Sequence, residues 1–283
     1  MEGPSFGADA PPSILLGRYQ LLERIGEGGM GVVWRCFDLD LEEPVAIKFL
    51  RDEFAKDEGL RASFRREVKL ARRVTHPNVA RVYEFGRDDN IYFLTMEYIE
   101  GESLQTLLDR GPLAPSRVAA LALGLCRGLA AAHAAGVIHG DIKPGNIMVG
   151  PRRGAVLTDF GVSRVLSEAH LPDSDWRGTP IYMAPEQLMS GVLTVQCDVY
   201  AIGVVLVEAL TGQLPWPEMA DMLQDKFSGH EPDLKALAPG LSPAWLGLII
   251  DCLRTDRGLR PADARALLGR LAALCDAPPG ASS

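Results

Sequence analysis

The run His139-Gly140-Asp141-Ile142-Lys143-Pro144-Gly145-Asn146, followed by Asp159-Phe160-Gly161, gathers two carboxylates, an amide and a lysine around two short strands. Such a set suits a general base beside a hard-cation site. Magnesium takes a few protein oxygens and completes its octahedron with water and phosphate. Neither run carries the His/Cys spacing of a zinc site. His139 by itself reads as a packed core histidine rather than a ligand or base. A second group lies near the start, in Gly26-Glu27-Gly28-Gly29-Met30-Gly31-Val32-Val33. Its glycines let backbone N–H groups come close to phosphates. A plain glycine-rich hairpin has the same pattern, and so does a dinucleotide-binding fingerprint. The fingerprint needs a helix after the turn, whereas Val32-Val33-Trp34-Arg35-Cys36-Phe37 continues as strand. Third, Lys48 closes Val45-Ala46-Ile47-Lys48, apolar on both faces, where a lysine must be paired or desolvated. Glu67 is equally out of place on the apolar stripe of a helix, between Phe64 and Ala71. The two charges are explained together if they meet, and a purely structural ion pair is the alternative.

Elements with two different periods must position these groups. Residues 19–27, 32–39 and 45–50 are rich in β-branched and aromatic side chains separated by turn chemistry, and the region as far as Tyr98 reads as strands. One helix interrupts it at about 58–74, with Leu60, Phe64, Glu67 and Ala71 on one face. From Ser103 onward the pattern is helical, with long apolar-periodic stretches at 116–135, 194–211, 243–253 and 262–274. Short strands at about 147–149 and 156–158 separate the first two. The expected organisation is a mobile segment over 1–16, a β-rich lobe over 17–98, a helix-rich lobe over 99–275, and a tail or linker over 276–283. A ligand is expected between the lobes. No repeat of 20–50 residues is present.

The chain has 283 residues, long enough to bury a full core. Its formal charge of −8, without a Lys/Arg-rich tract, argues against nucleic acid as the main partner. No stretch has the length and apolarity to span a bilayer, and the start lacks the basic and apolar regions of a signal peptide. The five cysteines are widely spaced with no CxxC pair, as expected of reduced thiols in a cytoplasmic protein or the cytosolic domain of a longer one.

Taken in order, the motifs resemble those of a eukaryotic-type (Hanks-type) protein serine/threonine kinase of the bacterial subgroup: glycine loop, VAIK lysine, helix-C glutamate, catalytic loop, DFG and APE. The resemblance covers about residues 19–274. It implies an α+β, bilobal protein-kinase fold, with a five-stranded antiparallel small lobe carrying helix C and a larger, mainly α-helical lobe. It also implies ATP with Mg²⁺ (Mn²⁺ being chemically admissible), and protein substrates phosphorylated on Ser or Thr. Ile25, Gly26, Glu27, Gly28, Gly29, Met30 and Gly31 would cover the nucleotide, with Val33, Ala46 and Met148 around the adenine. Met96 would be the gatekeeper, and the Glu97 carbonyl and Ile99 N–H would read the adenine edge. Lys48, oriented by Glu67, would hold the α/β-phosphates. Asp141 would be the base, Lys143 would stabilise the transferred phosphoryl, and Asn146 and Asp159 would hold the metal. Downstream, Gly178-Thr179-Pro180-Ile181-Tyr182-Met183-Ala184-Pro185-Glu186 resembles the peptide platform. There Thr179 would bridge Asp141 and Lys143, and Glu186 would pair with Arg260. Asp198 would begin the buried central helix.

The family usually has HRD where this chain has His139-Gly140-Asp141. The missing Arg normally meets a phosphorylated activation-loop residue, so activity is expected to depend less on activation-loop phosphorylation, with Ser167 and Ser174 the acceptors to test. The HGD triplet also occurs in aminoglycoside phosphotransferases, one rival reading. The other is a pseudokinase, a nucleotide-gated binding module. The peptide platform argues against the first, and the presence of Lys48, Asp141, Asn146 and Asp159 against the second. Homodimerisation, common in the bacterial relatives, is a further expectation of the resemblance.

Overall fold

The computed structural model describes residues 14–28, 31–50, 58–88, 91–160 and 180–276. Contacts divide it into two units. One holds the described residues up to Thr75 with Ala80–Ile99; the other holds His76–Val79, Glu100–Phe160 and the described residues from Pro180 onward.

Among the described residues, the first unit is an antiparallel sheet with one helix. Its strands are β1 (Ile14–Leu15), β2 (Tyr19–Gly28), β3 (Gly31–Asp38), β4 (Glu43–Leu50), β5 (Val82–Asp88) and β6 (Ile91–Glu97), in the order β1-β2-β3-β4-β6-β5. Among the described residues the sheet therefore has six strands rather than the expected five. Ile14 and Leu15, placed by sequence in the mobile segment, pair with Gln20 and Tyr19, and Leu15 is buried. Two apolar residues at the edge of a Gly/Pro-rich stretch are too short a signal to register as a strand.

Strand β4 lies inside the sheet, between β3 and β6, and both of its faces are covered. Period-two alternation sends Val45, Ile47 and Phe49 into one apolar cluster, and Ala46 and Leu50 into another on the opposite face. Lys48 shares the Ala46/Leu50 face. That cluster also holds Phe64 and Val68 of helix α1 (Glu58–Ala71), and Phe64 packs on Phe85 with ring centroids 5.1 Å apart. The alternation of the strand thus places Lys48, only 4% exposed, on the face that α1 covers. Glu67 is half-buried on that helix. One glycine of the loop is dictated by backbone packing: Gly31 has φ +147°, and a Cβ there would lie 1.8 Å from the Phe49 carbonyl oxygen.

The second unit is mainly helical. Its elements are β7 (Glu102–Ser103), α2 (Leu104–Leu108), α3 (Pro115–Ala134), β8 (Ile147–Gly150), β9 (Gly154–Leu157), α4 (Pro185–Ser190), α5 (Val195–Thr211), α6 (Met219–Ser228), α7 (Leu234–Leu237), α8 (Pro243–Cys252) and α9 (Ala264–Asp276). β7, β8 and β9 form a small antiparallel sheet. Helix α5 is apolar all round and buried along nearly its whole length, as a central core helix should be. Helix α6 is not expected from the sequence, because it buries Met222 and Lys226 while Met219 and Phe227 are exposed.

Candidate active site

The segment between α3 and β8 is held from below by Asp198, in the first turn of α5. This carboxylate is 1% exposed and accepts the His139 N–H at 2.9 Å and the Gly140 N–H at 2.8 Å. It also pairs with His133 Nε2 at 2.9 Å. A buried carboxylate is tolerable only when so satisfied. His139 is fully buried against Phe160, with ring centroids 4.5 Å apart. Its Nδ1 accepts the Asp141 N–H at 3.2 Å, which leaves Nε2 to donate to the Thr158 carbonyl at 2.9 Å. His139 is a scaffold linking the Asp141 and Asp159 segments.

On this scaffold three side chains converge. Lys143 Nζ lies 2.8 Å from Asp141 Oδ2. Asn146 Nδ2 donates to the same oxygen at 2.9 Å and to the Asp141 carbonyl at 2.8 Å. Asn146 is brought there by a 3₁₀ turn, Pro144–Asn146, whose proline suits its first position. The Asn146 backbone carbonyl accepts both the Thr158 N–H at 3.0 Å and the Thr158 hydroxyl at 3.1 Å, tying the turn to the strand end before Asp159. Asp159 itself has φ +59°, a strained conformation for a residue other than glycine, of the kind that clusters at functional sites.

Gly140 has φ +76°, and a Cβ there would meet Leu193 Cδ2 at 3.0 Å. Gly140→Ala is expected to cost about 1–2 kcal/mol in urea or thermal unfolding, chiefly from the left-handed backbone. An unchanged midpoint would contradict this.

The platform after Pro180 is anchored by a buried ion pair. Arg260 donates to Glu186 Oε1 at 2.7 Å and Oε2 at 2.9 Å, and its side chain is fully buried. Its other hydrogens go to the carbonyls of Arg254, Gln196 and Thr255, so all five guanidinium donors are used. Burial pushes the Glu186 carboxyl up, but the bidentate bonds and charge of Arg260 outweigh it and hold it below the ordinary range. Tyr182 donates to Glu208 at 2.7 Å; burial raises both groups.

In the first unit, Met96 is buried and faces Ala46 across the β4–β6 ladder, while Val33 faces Lys48 across β3–β4. Ile99 is buried, Glu97 is half-buried, and Ile25 and Glu27 are exposed on β2 beside Gly26. Met148 lies half-buried on β8 of the second unit. Gly29, Met30 and Thr179 lie outside the described residues, as do Ser167 and Ser174.

A family model for the protein kinase domain matches residues 19–270. The chain belongs to the protein kinase family. This kinase domain is 38% identical over 272 residues to the serine/threonine-protein kinase pkn3 of Myxococcus xanthus, covering 91% of the chain and 50% of that protein. It is 39% identical over 202 residues to the serine/threonine-protein kinase PrkC of Bacillus subtilis, covering 71% of the chain and 31% of that protein. The chain thus spans half or less of the length of these two curated relatives. The crystallised PknI kinase domain of Mycobacterium tuberculosis matches with a TM-score of 0.74 at 24% identity, over 94% of this chain and 99% of that one. The fold is therefore the α+β bilobal kinase fold, and the family works with ATP and a divalent cation on protein substrates. Among the described residues no helix is long and apolar enough to cross a membrane.

Three residues escaped the reading of the kinase sequence. His133 completes the Asp198 anchor, and Gln187 Nε2 donates to the Gly140 carbonyl at 2.9 Å. Lys226 is buried in α6; burial first, then the charge of Arg260, pulls its amine down to about 7. None of the three left a local signal: around Lys226 the apolar residues Met219 and Phe227 mark a face of α6 other than the buried one.

Proposed function

We propose that this domain transfers the γ-phosphoryl group of Mg·ATP to Ser or Thr hydroxyls of proteins, its own chain included. The observation that carries the proposal is the hydrogen-bonded cluster in which one oxygen of buried Asp141 receives both Lys143 Nζ and Asn146 Nδ2. A carboxylate oriented in this way suits a base that takes the proton of the attacking hydroxyl. Lys143, already beside it, meets the charge on the phosphoryl oxygens as the hydroxyl oxygen bonds phosphorus and ADP departs. A lysine there favours Ser/Thr over Tyr as acceptor, and the relatives' names agree.

With Nδ2 committed to Asp141, Asn146 offers Oδ1 to a cation, and Asp159 offers a carboxylate. Two hard oxygens match Mg²⁺, which keeps most of its shell for water and phosphate. When bound, Mg²⁺ would neutralise the phosphate oxygens. Lys48 would hold the α/β-phosphates with Glu67 orienting it, beneath Gly26, Gly28 and Gly31. Val33, Ala46, Met96, Glu97, Ile99 and Met148 would enclose the adenine, and residues 179–186, whose Glu186 is locked by Arg260, would receive the peptide. Most of the rate comes from positioning and electrostatics rather than covalent catalysis.

The test is transfer from γ-labelled ATP to casein and to a lysine-rich histone. Label in protein with Mg²⁺, abolished by EDTA, is expected. Labelling that persists in EDTA would contradict the metal assignment, and no labelling of any protein would contradict the activity.

A further inference from the structure

We propose that Lys226 is a positioning residue that sets the backbone of the acceptor platform, residues 180–183, and thereby governs how tightly a protein substrate is held. The inference rests on the assignment of that platform made above. Helix α6 buries just two side chains among its described residues, Met222 and Lys226, one turn apart. The Lys226 ammonium is 1% exposed and donates to the carbonyls of Pro180 at 3.2 Å, Ile181 at 2.8 Å and Met183 at 2.7 Å. Three donors thus meet three acceptors, all from one short stretch of chain. The rings of Trp216 and Tyr200 wall the ammonium at 4.8 and 5.1 Å, and the Trp216 indole N–H is fixed to Asp225 at 3.1 Å.

Turning three carbonyls toward one point has a consequence for the opposite side of the chain. Each peptide unit is planar and trans, so the N–H following each of these carbonyls, on Ile181, Tyr182 and Ala184, points away from Lys226. The lysine therefore decides the orientation of the platform's peptide groups as well as its position. The hydrogen bonds of Lys226 go to the platform carbonyls and to none of Asp141, Lys143 or Asn146, so the effect should fall on acceptor binding and spare the nucleotide.

The experiment measures steady-state kinetics with casein and ATP for wild type, Lys226→Met and Lys226→Arg, with thermal melts of each. Lys226→Met keeps much of the length but removes all three donors. It should raise KM for casein about tenfold while KM for ATP and kcat stay within about twofold, and Lys226→Arg should recover most of the loss. If Lys226→Met does not fold, Trp216→Phe, which keeps the carbonyl contacts but loses the indole anchor, should raise KM for casein about threefold with the same selectivity. An unchanged casein KM in a folded variant overturns the proposal. A parallel loss in casein KM, ATP KM, kcat and melting temperature overturns it too, since that is the mark of a purely structural lysine. Wild type that labels no protein overturns both this inference and the kinase activity, whereas active wild type matched by Lys226→Met overturns the inference alone.

Discussion

Asp141→Asn should lower transfer to casein about 10³-fold while leaving the affinity for Mg·ATP within a few-fold of wild type. The size follows from what a positioned base contributes to proton transfer, on the order of 10² to 10⁴. The selectivity follows from the geometry. Asp141 is held by the His139 ring through its N–H, and by Asn146 through both its carbonyl and one carboxylate oxygen. An asparagine of nearly the same shape can keep these contacts by turning its amide oxygen toward Asn146 and Lys143. What it cannot do is accept the substrate's proton. Initial rates with labelled ATP, beside nucleotide titration of the same variant, separate the two effects. Equal loss of binding and rate would place Asp141 in nucleotide binding, and wild-type rates would remove it from the chemistry.

Arg260→Leu should destabilise the domain by about 3–5 kcal/mol, the usual cost of stripping one partner from a buried ion pair. It would leave the Glu186 carboxylate, only 16% exposed in its side chain, facing an apolar residue. The carbonyls of Arg254, Gln196 and Thr255 would lose their donors as well. For a domain of this size each kcal/mol moves the melting temperature by about 2–4 °C, so a fall of about 10 °C is expected. The pH dependence has a definite sign. The folded Glu186 carboxyl is held below its ordinary 4.5, so its contribution is present above about that pH and is lost as pH falls through the depressed folded value. Acid unfolding of wild type should therefore be steeper than that of Glu186→Gln in the same range. A melting temperature within 2 °C of wild type for Arg260→Leu would mean that the pair stabilises little.

What the sequence disclosed depended on whether a group's neighbours are close in the chain. Asp141, Lys143 and Asn146 form one cluster because a single short turn carries all three, so residue type and spacing sufficed. Lys48 and Glu67 were legible differently: each is a charge on an apolar surface, and the alternation of β4 puts Lys48 on the face that α1 covers. The Glu186–Arg260 lock was reached only through the family resemblance, since its partners are far apart in sequence, and the structure supplies its geometry.

Other features could not be read because tertiary contacts reverse the local pattern. Helix α6 buries Lys226 while Phe227 is 56% and Met219 40% exposed, so apolar periodicity points to the wrong face and the helix goes unnoticed. The Asp198 anchor takes His133 from α3 and two backbone N–H groups beyond it, partners that no spacing rule connects. Strand β1 is two residues long and exists only because β2 offers it an edge.

The central claim is that the acceptor is a Ser or Thr hydroxyl of a protein. Its most direct test is to offer wild type labelled ATP and Mg²⁺ with casein and an aminoglycoside in one vessel, and to identify the labelled products after acid hydrolysis. Phosphoserine and phosphothreonine, absent with Asp141→Asn, are the predicted products. Label confined to the aminoglycoside, or tight Mg·ATP binding with no transfer at all, would contradict the account.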